Sequence, residues 1–142
     1  VFGDKRTLTG ADGSVVIGSS QAGTSTSVKN AVAIGSEANV TKEGGVALGA
    51  GSVASVDKGA AGYDPGTGTN STDTSSVWKS TQAAVSVGDT SKGITRQITG
   101  VAAGTNDTDA VNVAQLRKAK TSIRRQILGM DMLYTRSMPR IR

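Results

Sequence analysis

The sequence predicts a mainly β protein: a narrow solenoid of short coils, completed by several copies together, then a helix with coiled-coil rhythm. Three observations predict it. A short apolar motif ending in glycine recurs along the first two thirds of the chain, large apolar side chains are scarce, and the hydrophobic period changes near residue 110.

The repeat comes first, because self-similarity decides architecture before any single element does. Val15-Val16-Ile17-Gly18, Val32-Ala33-Ile34-Gly35, Val46-Ala47-Leu48-Gly49 and Val85-Ser86-Val87-Gly88 share one pattern. Two branched or large apolar residues stand at i and i+2, with a smaller or variable one between and a glycine after. Alternation with period two marks a strand, and Val and Ile suit strands. The glycine permits a turn with φ > 0 or a close backbone approach. From glycine to glycine the spacings are 17, 14 and 39 residues. A period near 14 is too short for a repeat containing a helix and too long for one hairpin arm. It fits one solenoid coil of two short strands and two turns. The turns fall in Ser36-Glu37-Ala38-Asn39 and Lys42-Glu43-Gly44-Gly45. Val32 and Ile34 then stack on Val46 and Leu48 in the next coil, because such units are stable only when stacked. Ala33 and Ala47 point to the opposite face, and their small size marks that face as the expected contact with sister chains.

Composition gives the oligomer. The chain holds one Trp, one Phe and two Tyr, and 18 of its 19 glycines precede Leu116. A small domain buries roughly 60–70 % of its unfolded surface, and large side chains supply most of the gain, about 1.5–3 kcal/mol each. Residues 1–116 carry too few of them for a private core, so the chain is either partly disordered or shares its core with other copies. Regular spacing of the hydrophobes argues against a flexible linker.

The 39-residue spacing holds an insertion, Tyr63 to Thr81. It opens with the turn-forming run Tyr63-Asp64-Pro65-Gly66, continues through a polar Gly/Thr/Asn/Ser stretch and contains the only tryptophan, Trp78. Insertions in solenoids map to loops on one face, often the binding face, which makes Tyr63, Asp64 and Trp78 the candidate ligand-facing residues. The plainer reading is that Tyr63 and Trp78 pin the loop down.

After Gly88 the pattern changes. Ile94-Thr95-Arg96-Gln97-Ile98 reads as a short strand and Gly100-Val101-Ala102-Ala103-Gly104 as a turn. Asn106-Asp107-Thr108-Asp109 offers helix N-caps. Val113, Leu116, Lys120, Ile123, Ile127, Met130 and Tyr134 then follow alternating steps of three and four, the a/d rhythm of a coiled coil interrupted by Lys120. A helix is expected from about Asp109 to Tyr134, with Pro139 excluding a regular continuation.

Charge and chemistry exclude several classes. Residues 1–116 carry 8 basic and 10 acidic side chains; residues 117–142 carry 8 basic side chains and only Asp131, which together make the net charge of +5. The basic pI is a property of the tail, and no nucleic-acid partner is expected. The chain has no Cys and no His, which removes thiol nucleophiles, imidazole bases and most transition-metal sites. No enzyme, cofactor or metal is expected. Gly49-Ala50-Gly51-Ser52-Val53-Ala54 fits a loose dinucleotide pattern but lacks the helix that must follow. Asn39-Val40-Thr41, Asn70-Ser71-Thr72 and Asn106-Asp107-Thr108 match a glycosylation acceptor that a Ser/Thr/Asn-rich chain contains by chance. Asp107 and Asp109 read more simply as helix caps than as a catalytic pair. No stretch approaches the ~20 apolar residues of a membrane span. The start at Val1, without Met or signal peptide, reads as a piece of a longer protein.

Thr95 to Leu116, TRQITGVAAGTNDTDAVNVAQL, closely resembles the neck of trimeric autotransporter adhesins of the type Vc, YadA-like kind. The SVVIG, AVAIG and VALG repeats resemble their head, and GYDP…VWKSTQAAVSVGD resembles an insertion placed before the neck. The resemblance covers roughly residues 13–118; Val1 to Gly13 fits poorly, and the basic, Met-rich tail after Lys118 does not look like a usual stalk. It implies a left-handed parallel β-roll head in an intertwined homotrimer, followed by a neck and a short α-helical coiled-coil segment. The expected divisions are head repeats over 1–62, insertion and last head strand over 63–90, neck over 91–116, and stalk start or foreign tail over 117–142. Trimer and core packing is expected from Val15, Ile17, Val32, Ile34, Val46, Leu48, Val85 and Val87 in the head, and from Ile98, Val101, Val111, Val113 and Leu116 in the neck. The implied partners are the chain itself, as a homotrimer, and a ligand of the host extracellular matrix or cell surface. The implied location is the bacterial cell surface, with the outer-membrane anchor elsewhere in the parent chain. Adhesion would then work through many weak sites in parallel. The competing function is a structural spacer or self-association module of the same fibre. A left-handed acyltransferase helix would need His, and an ice-binding solenoid would need regular outward Thr rows; neither is present.

Overall fold

The computed structural model describes residues 1–137 and comprises two compact units that divide between Gln97 and Ile98.

In the first unit, very short strands alternate between two walls. They are β1 (Arg6–Leu8), β2 (Val15–Ile17), β3 (Thr24–Thr26), β4 (Val32–Ile34), β5 (Asn39–Val40), β6 (Val46–Leu48) and β7 (Val53–Ala54). After them come β8 (Tyr63–Asp64), β9 (Thr69–Asn70) and β10 (Val85–Ser86). One wall is a parallel four-stranded sheet in the order β10-β6-β4-β2. The other wall carries the parallel pairs β1-β3 and β5-β7, linked by the Thr26 hydroxyl donating to Asn39 Oδ1 at 2.8 Å. The predicted stacking is met residue for residue: Val32 pairs with Val46 and Ile34 with Leu48. The fourth repeat also pairs directly with the third, Val85 on Val46, across the long insertion.

Burial reverses the expected faces. The interior row of the four-stranded sheet is Val16, Ala33 and Ala47, each at most 1 % exposed, and Ser86 continues its register. From the opposite wall come Thr26, Val40 and Ala54, also at most 1 % exposed. Ala33 and Ala47 therefore lie in this chain's own core and are not a surface offered to sister chains. The reason is width. Walls built from two- and three-residue strands joined by tight turns leave room mainly for Ala, Ser, Thr and a few Val side chains, so the i and i+2 Val, Ile and Leu of the repeat point outward. Val15, Ile17, Ile34 and Leu48 are 46, 43, 39 and 39 % exposed.

The repeat glycines stack as well. Gly18, Gly35 and Gly49 have φ of 124°, 132° and 100°. A methyl group on Gly18 would stand 2.4 Å from the Gly35 carbonyl oxygen, and one on Gly35 would stand 2.5 Å from the Gly49 carbonyl carbon. Both reasons for glycine, positive φ and close approach, operate together. The same contact, Gly3 against Gly18 at 2.4 Å, exposes an extra coil. Val1 to Gly13, poorly matched in sequence, joins the solenoid through β1 and through a parallel bridge of Phe2 with Ile17. At the other end β10 continues the sheet, but Gly88 does not stack on Gly49. The Arg96 guanidinium lies there instead, donating to the carbonyls of Ala50 (2.7 Å) and Val87 (2.9 Å) and to the Ser52 hydroxyl (3.1 Å).

Two charged side chains tie the early coils. Glu37, at φ 62°, accepts from the Gln21 backbone N–H, the Ser20 hydroxyl and the Thr24 hydroxyl. These bonds, led by the one from Gln21, hold its carboxyl below the usual range. Arg6 Nη2 donates to the Ala38 carbonyl while its Nε and Nη1 are buried without a partner; this burial lowers its pKa, partly offset by Glu37.

The segment expected as a strand, Ile94 to Ile98, is not one. Ile94 makes a single antiparallel bridge with Asp89 after a 3-10 turn at Thr90–Lys92, and the residues that follow are irregular, because Arg96 is engaged in closing the solenoid.

In the second unit, helix α1 spans Val113–Ser137. It starts four residues later than expected, and Asn106 to Asp109 do not cap it. Asp109 instead accepts from the backbone N–H groups of Thr105 (2.9 Å) and Asn106 (3.0 Å), which hold its carboxyl below the usual range. The cap is Asn112. Its Oδ1 accepts from the Gln115 N–H at 3.0 Å, and Gln115 Oε1 accepts from the Asn112 N–H at 3.3 Å, a reciprocal capping box. Gln115 also clips Gly104, accepting from its N–H (3.0 Å) and donating to its carbonyl (2.9 Å), while Asn112 Nδ2 reaches the Val101 carbonyl (3.2 Å). The run Gly100 to Gly104, expected as a turn, is irregular backbone held by helix side chains, with a bend at Gly100. The Tyr134 side chain and Pro139 lie outside the described residues.

Candidate functional site

Two surfaces of the first unit and one stripe of the second collect the residues singled out from sequence.

The first surface is the outer face of the four-stranded sheet. Val15, Val32, Val46 and Val85 form one row in register, and Ile17, Ile34 and Leu48 a second. Val32 and Val46 are half-buried and Val85 is 63 % exposed. None of them lies in the chain's own interior. The interior is already filled by the alternate residues. Val87 lies beyond the paired stretch, half-buried, its carbonyl taken by Arg96.

The second surface is the insertion. Backbone bonds close its base: the Gly62 N–H donates to the Trp78 carbonyl (2.7 Å) and the Ser80 N–H to the Ala60 carbonyl (3.0 Å). Above the base, β8 and β9 form an antiparallel hairpin in which Tyr63 faces Asn70 and Asp64 faces Thr69. A cavity of about 290 Å³ opens beside it, lined by Asp64, Thr67, Asn70, Thr72, Asp73 and Trp78 among others. Asp64 and Trp78 thus come together, whereas Tyr63, 63 % exposed, is not in the lining. Asp64 Oδ1 accepts from the Gly66 N–H at 2.8 Å, and Asp73 Oδ1 from the Ser75 N–H at 2.8 Å. That bond, with a second from the Ser75 side chain, lowers the Asp73 pKa. Asn70 and Thr72 drew notice only as a chance glycosylation match, and Asp73 was missed; the Asp-x-Ser spacing of Asp73 and Ser75, a side-chain-stabilised turn, was its one available signal.

In the second unit Ile98, Val111, Val113 and Leu116 are 71, 70, 64 and 66 % exposed and Val101 is half-buried. Ile123, Ile127 and Met130 continue the exposed apolar positions along α1. Among the described residues no helix is long and apolar enough to cross a membrane, and no group of three or more acidic, His or Cys residues is placed to hold a metal.

A parallel β-roll of short coils with stacked glycines, followed by a capped helix bearing an apolar stripe, is the architecture of YadA-like proteins. Residues 97–128 match the family model described as the coiled stalk of trimeric autotransporter adhesin. The chain is related to the trimeric autotransporter adhesins. Over 78 residues, 55 % of its length, it is 62 % identical to autotransporter adhesin BadA of Bartonella henselae. Over 69 residues, 47 % of its length, it is 55 % identical to trimeric autotransporter adhesin AtaA of Acinetobacter sp. (strain Tol 5). It spans only 2 % of the length of each. Among solved structures, the C-terminal YadA-like domain of a Burkholderia pseudomallei protein superposes with a TM-score of 0.60 at 29 % identity, over 94 % of this chain and 52 % of that one. The curated proteins it matches are named as adhesins.

Proposed function

We propose that the chain is a head and neck segment of a trimeric fibre on a bacterial cell surface, attaching the cell to host extracellular matrix or host cells. The observation that carries the reading is the outward apolar face. A solenoid whose fully buried side chains are Ala, Val, Thr and Ser gains little from its own core, yet it presents two apolar rows in strict register. Covering those half-exposed side chains adds about 1 kcal/mol apiece, and identical copies provide the self-complementary cover. The exposed stripe Val113, Leu116, Ile123, Ile127 and Met130 suits the same assembly, with Lys120 as a polar interruption of the kind that sets register. On this reading the insertion projects from the head as its one departure from the repeat, and the anchor in the outer membrane lies elsewhere in the parent chain.

The test is solid-phase attachment of the assembled protein to collagen, fibronectin and laminin, compared with a variant in which residues 62–81 are replaced by a short turn. Saturable binding that the replacement abolishes supports adhesion through the insertion. Absence of binding to every coat, with the protein folded and assembled, leaves the segment as a spacer and refutes the adhesive reading.

A further inference from the structure

We propose that the insertion cavity binds a neutral saccharide, with Trp78 as the stacking surface and Asp64, Asp73, Asn70 and Thr72 as its hydroxyl partners. The proposal rests on the adhesive reading, since it names the class of host-surface group that the insertion recognises.

The lining decides the ligand class. A cavity of about 290 Å³ lies at the small end of ligand pockets, roughly 300–1,000 Å³, and suits one ring of a sugar rather than a peptide segment. Its wall combines one indole with two carboxylates, an amide and several hydroxyls. A sugar ring presents an apolar face of C–H groups and a rim of hydroxyls, each both donor and acceptor. The wall answers both: the indole supplies the flat apolar body with a polar edge, the carboxylates accept, and the Asn70 amide and Thr72 hydroxyl both donate and accept. Each Asp spends one oxygen on a backbone N–H of its own turn, at 2.8 Å. That bond fixes the carboxylate while leaving acceptor capacity unused, since an ionised carboxylate offers about four lone-pair sites.

Charge excludes the neighbouring classes. No Lys or Arg lines the cavity, so a phosphate, a sialylated glycan or a sulfated polysaccharide meets two like charges and no counter-charge. A lysine or arginine side chain would satisfy the carboxylates and the ring, but it would leave the amide and hydroxyl donors facing a group that accepts nothing. The Trp78 backbone is anchored at the base of the insertion, where its carbonyl receives the Gly62 N–H at 2.7 Å.

Because Trp78 is the only tryptophan in the chain, its fluorescence reports this cavity alone. The assembled protein is titrated with methyl β-galactoside, methyl α-mannoside and N-acetylglucosamine, and in parallel with a heparin tetrasaccharide and hexalysine. The expected result is a saturable change in Trp78 emission with at least one neutral sugar, at a dissociation constant on the order of 1 mM, the weak range that multivalency raises into useful avidity. Neither heparin nor hexalysine should produce it. By calorimetry, Asp73→Asn and Trp78→Ala should weaken that sugar at least tenfold while the circular dichroism spectrum and assembled mass stay unchanged. No response to any neutral sugar, a response to hexalysine alone, or wild-type affinity in Asp73→Asn overturns the proposal. Insertion-dependent attachment to a matrix coat without sugar binding sinks the saccharide assignment only. Sugar binding without attachment to any coat sinks the adhesive reading only.

Discussion

Replacing Gly35 by alanine should cost the head most of its stability, and the cost separates into two parts that a second variant isolates. Gly35 has φ of 132°, a backbone that strains any residue with a Cβ by about 1–3 kcal/mol. Its new methyl would also stand 2.5 Å from the Gly49 carbonyl carbon and 2.8 Å from the Ala50 nitrogen. Those are backbone atoms of the next coil, so relief requires the coils to part, and overpacking of this kind adds about 1–3 kcal/mol or more. The sum, roughly 2–6 kcal/mol, reaches at its upper end the whole stability of a marginal small domain, about 5–15 kcal/mol. Gly10→Ala is the control: φ there is 63° and nothing lies within 4 Å of its Cβ, so only backbone strain of about 1–2 kcal/mol remains. Denaturant unfolding followed by circular dichroism at one fixed protein concentration, as an associating protein requires, measures both. A gap of about 2 kcal/mol or more is expected. Equal losses in the two variants would refute stacking of the glycines as the reason for their recurrence.

Three further outcomes follow from the same contacts. Arg96→Ala removes three hydrogen bonds that close the solenoid's last coil and should destabilise the head by about 2 kcal/mol, read by the same unfolding assay; an unchanged midpoint would show that the guanidinium closes nothing. Glu37 has a depressed folded pKa, so its contribution is full above the unfolded value of 4.5 and disappears as pH falls through the lower folded value. Glu37→Gln should therefore flatten the loss of melting temperature on acidification in that window, and a slope equal to wild type would contradict the network around Glu37. Asn112→Ala breaks the capping box and should lower helix stability by about 1 kcal/mol, seen as reduced ellipticity at elevated temperature; full retention would place the helix start elsewhere.

The strand period, the parallel pairing of successive repeats and the reason for each repeat glycine were legible before any coordinates, because i/i+2 alternation and a 14-residue spacing admit few architectures. The direction of the faces was not. Bulky Val, Ile and Leu ordinarily mark the inside, and only the narrowness of the solenoid, a property of the closed coil, turns them outward and leaves Ala33 and Ala47 within. The coil that begins at Phe2 escaped notice because it carries the glycine of the motif without its full apolar pair. Arg96 looked like a strand residue because its neighbours alternate, yet its role depends in part on the Ala50 carbonyl, 46 positions earlier in the chain. The helix start moved from Asp109 to Val113 because several Asx residues competed for the cap, and only Asn112 has Gln115 at the spacing that reciprocates. In the candidate site, Asp64 and Trp78 were visible as unusual residues in a polar loop; their meeting in one cavity lining, and the presence of Asp73, required the fold.

The central claim is that identical copies cover the outward rows Val15, Ile17, Ile34 and Leu48. Multi-angle light scattering of the purified chain tests it most directly. The account predicts a single species of three times the 14.3 kDa chain mass, reverting to smaller, unfolded species when Ile34→Asp and Leu48→Asp place charge in the covered rows. A folded, stable monomer of wild-type sequence would contradict it.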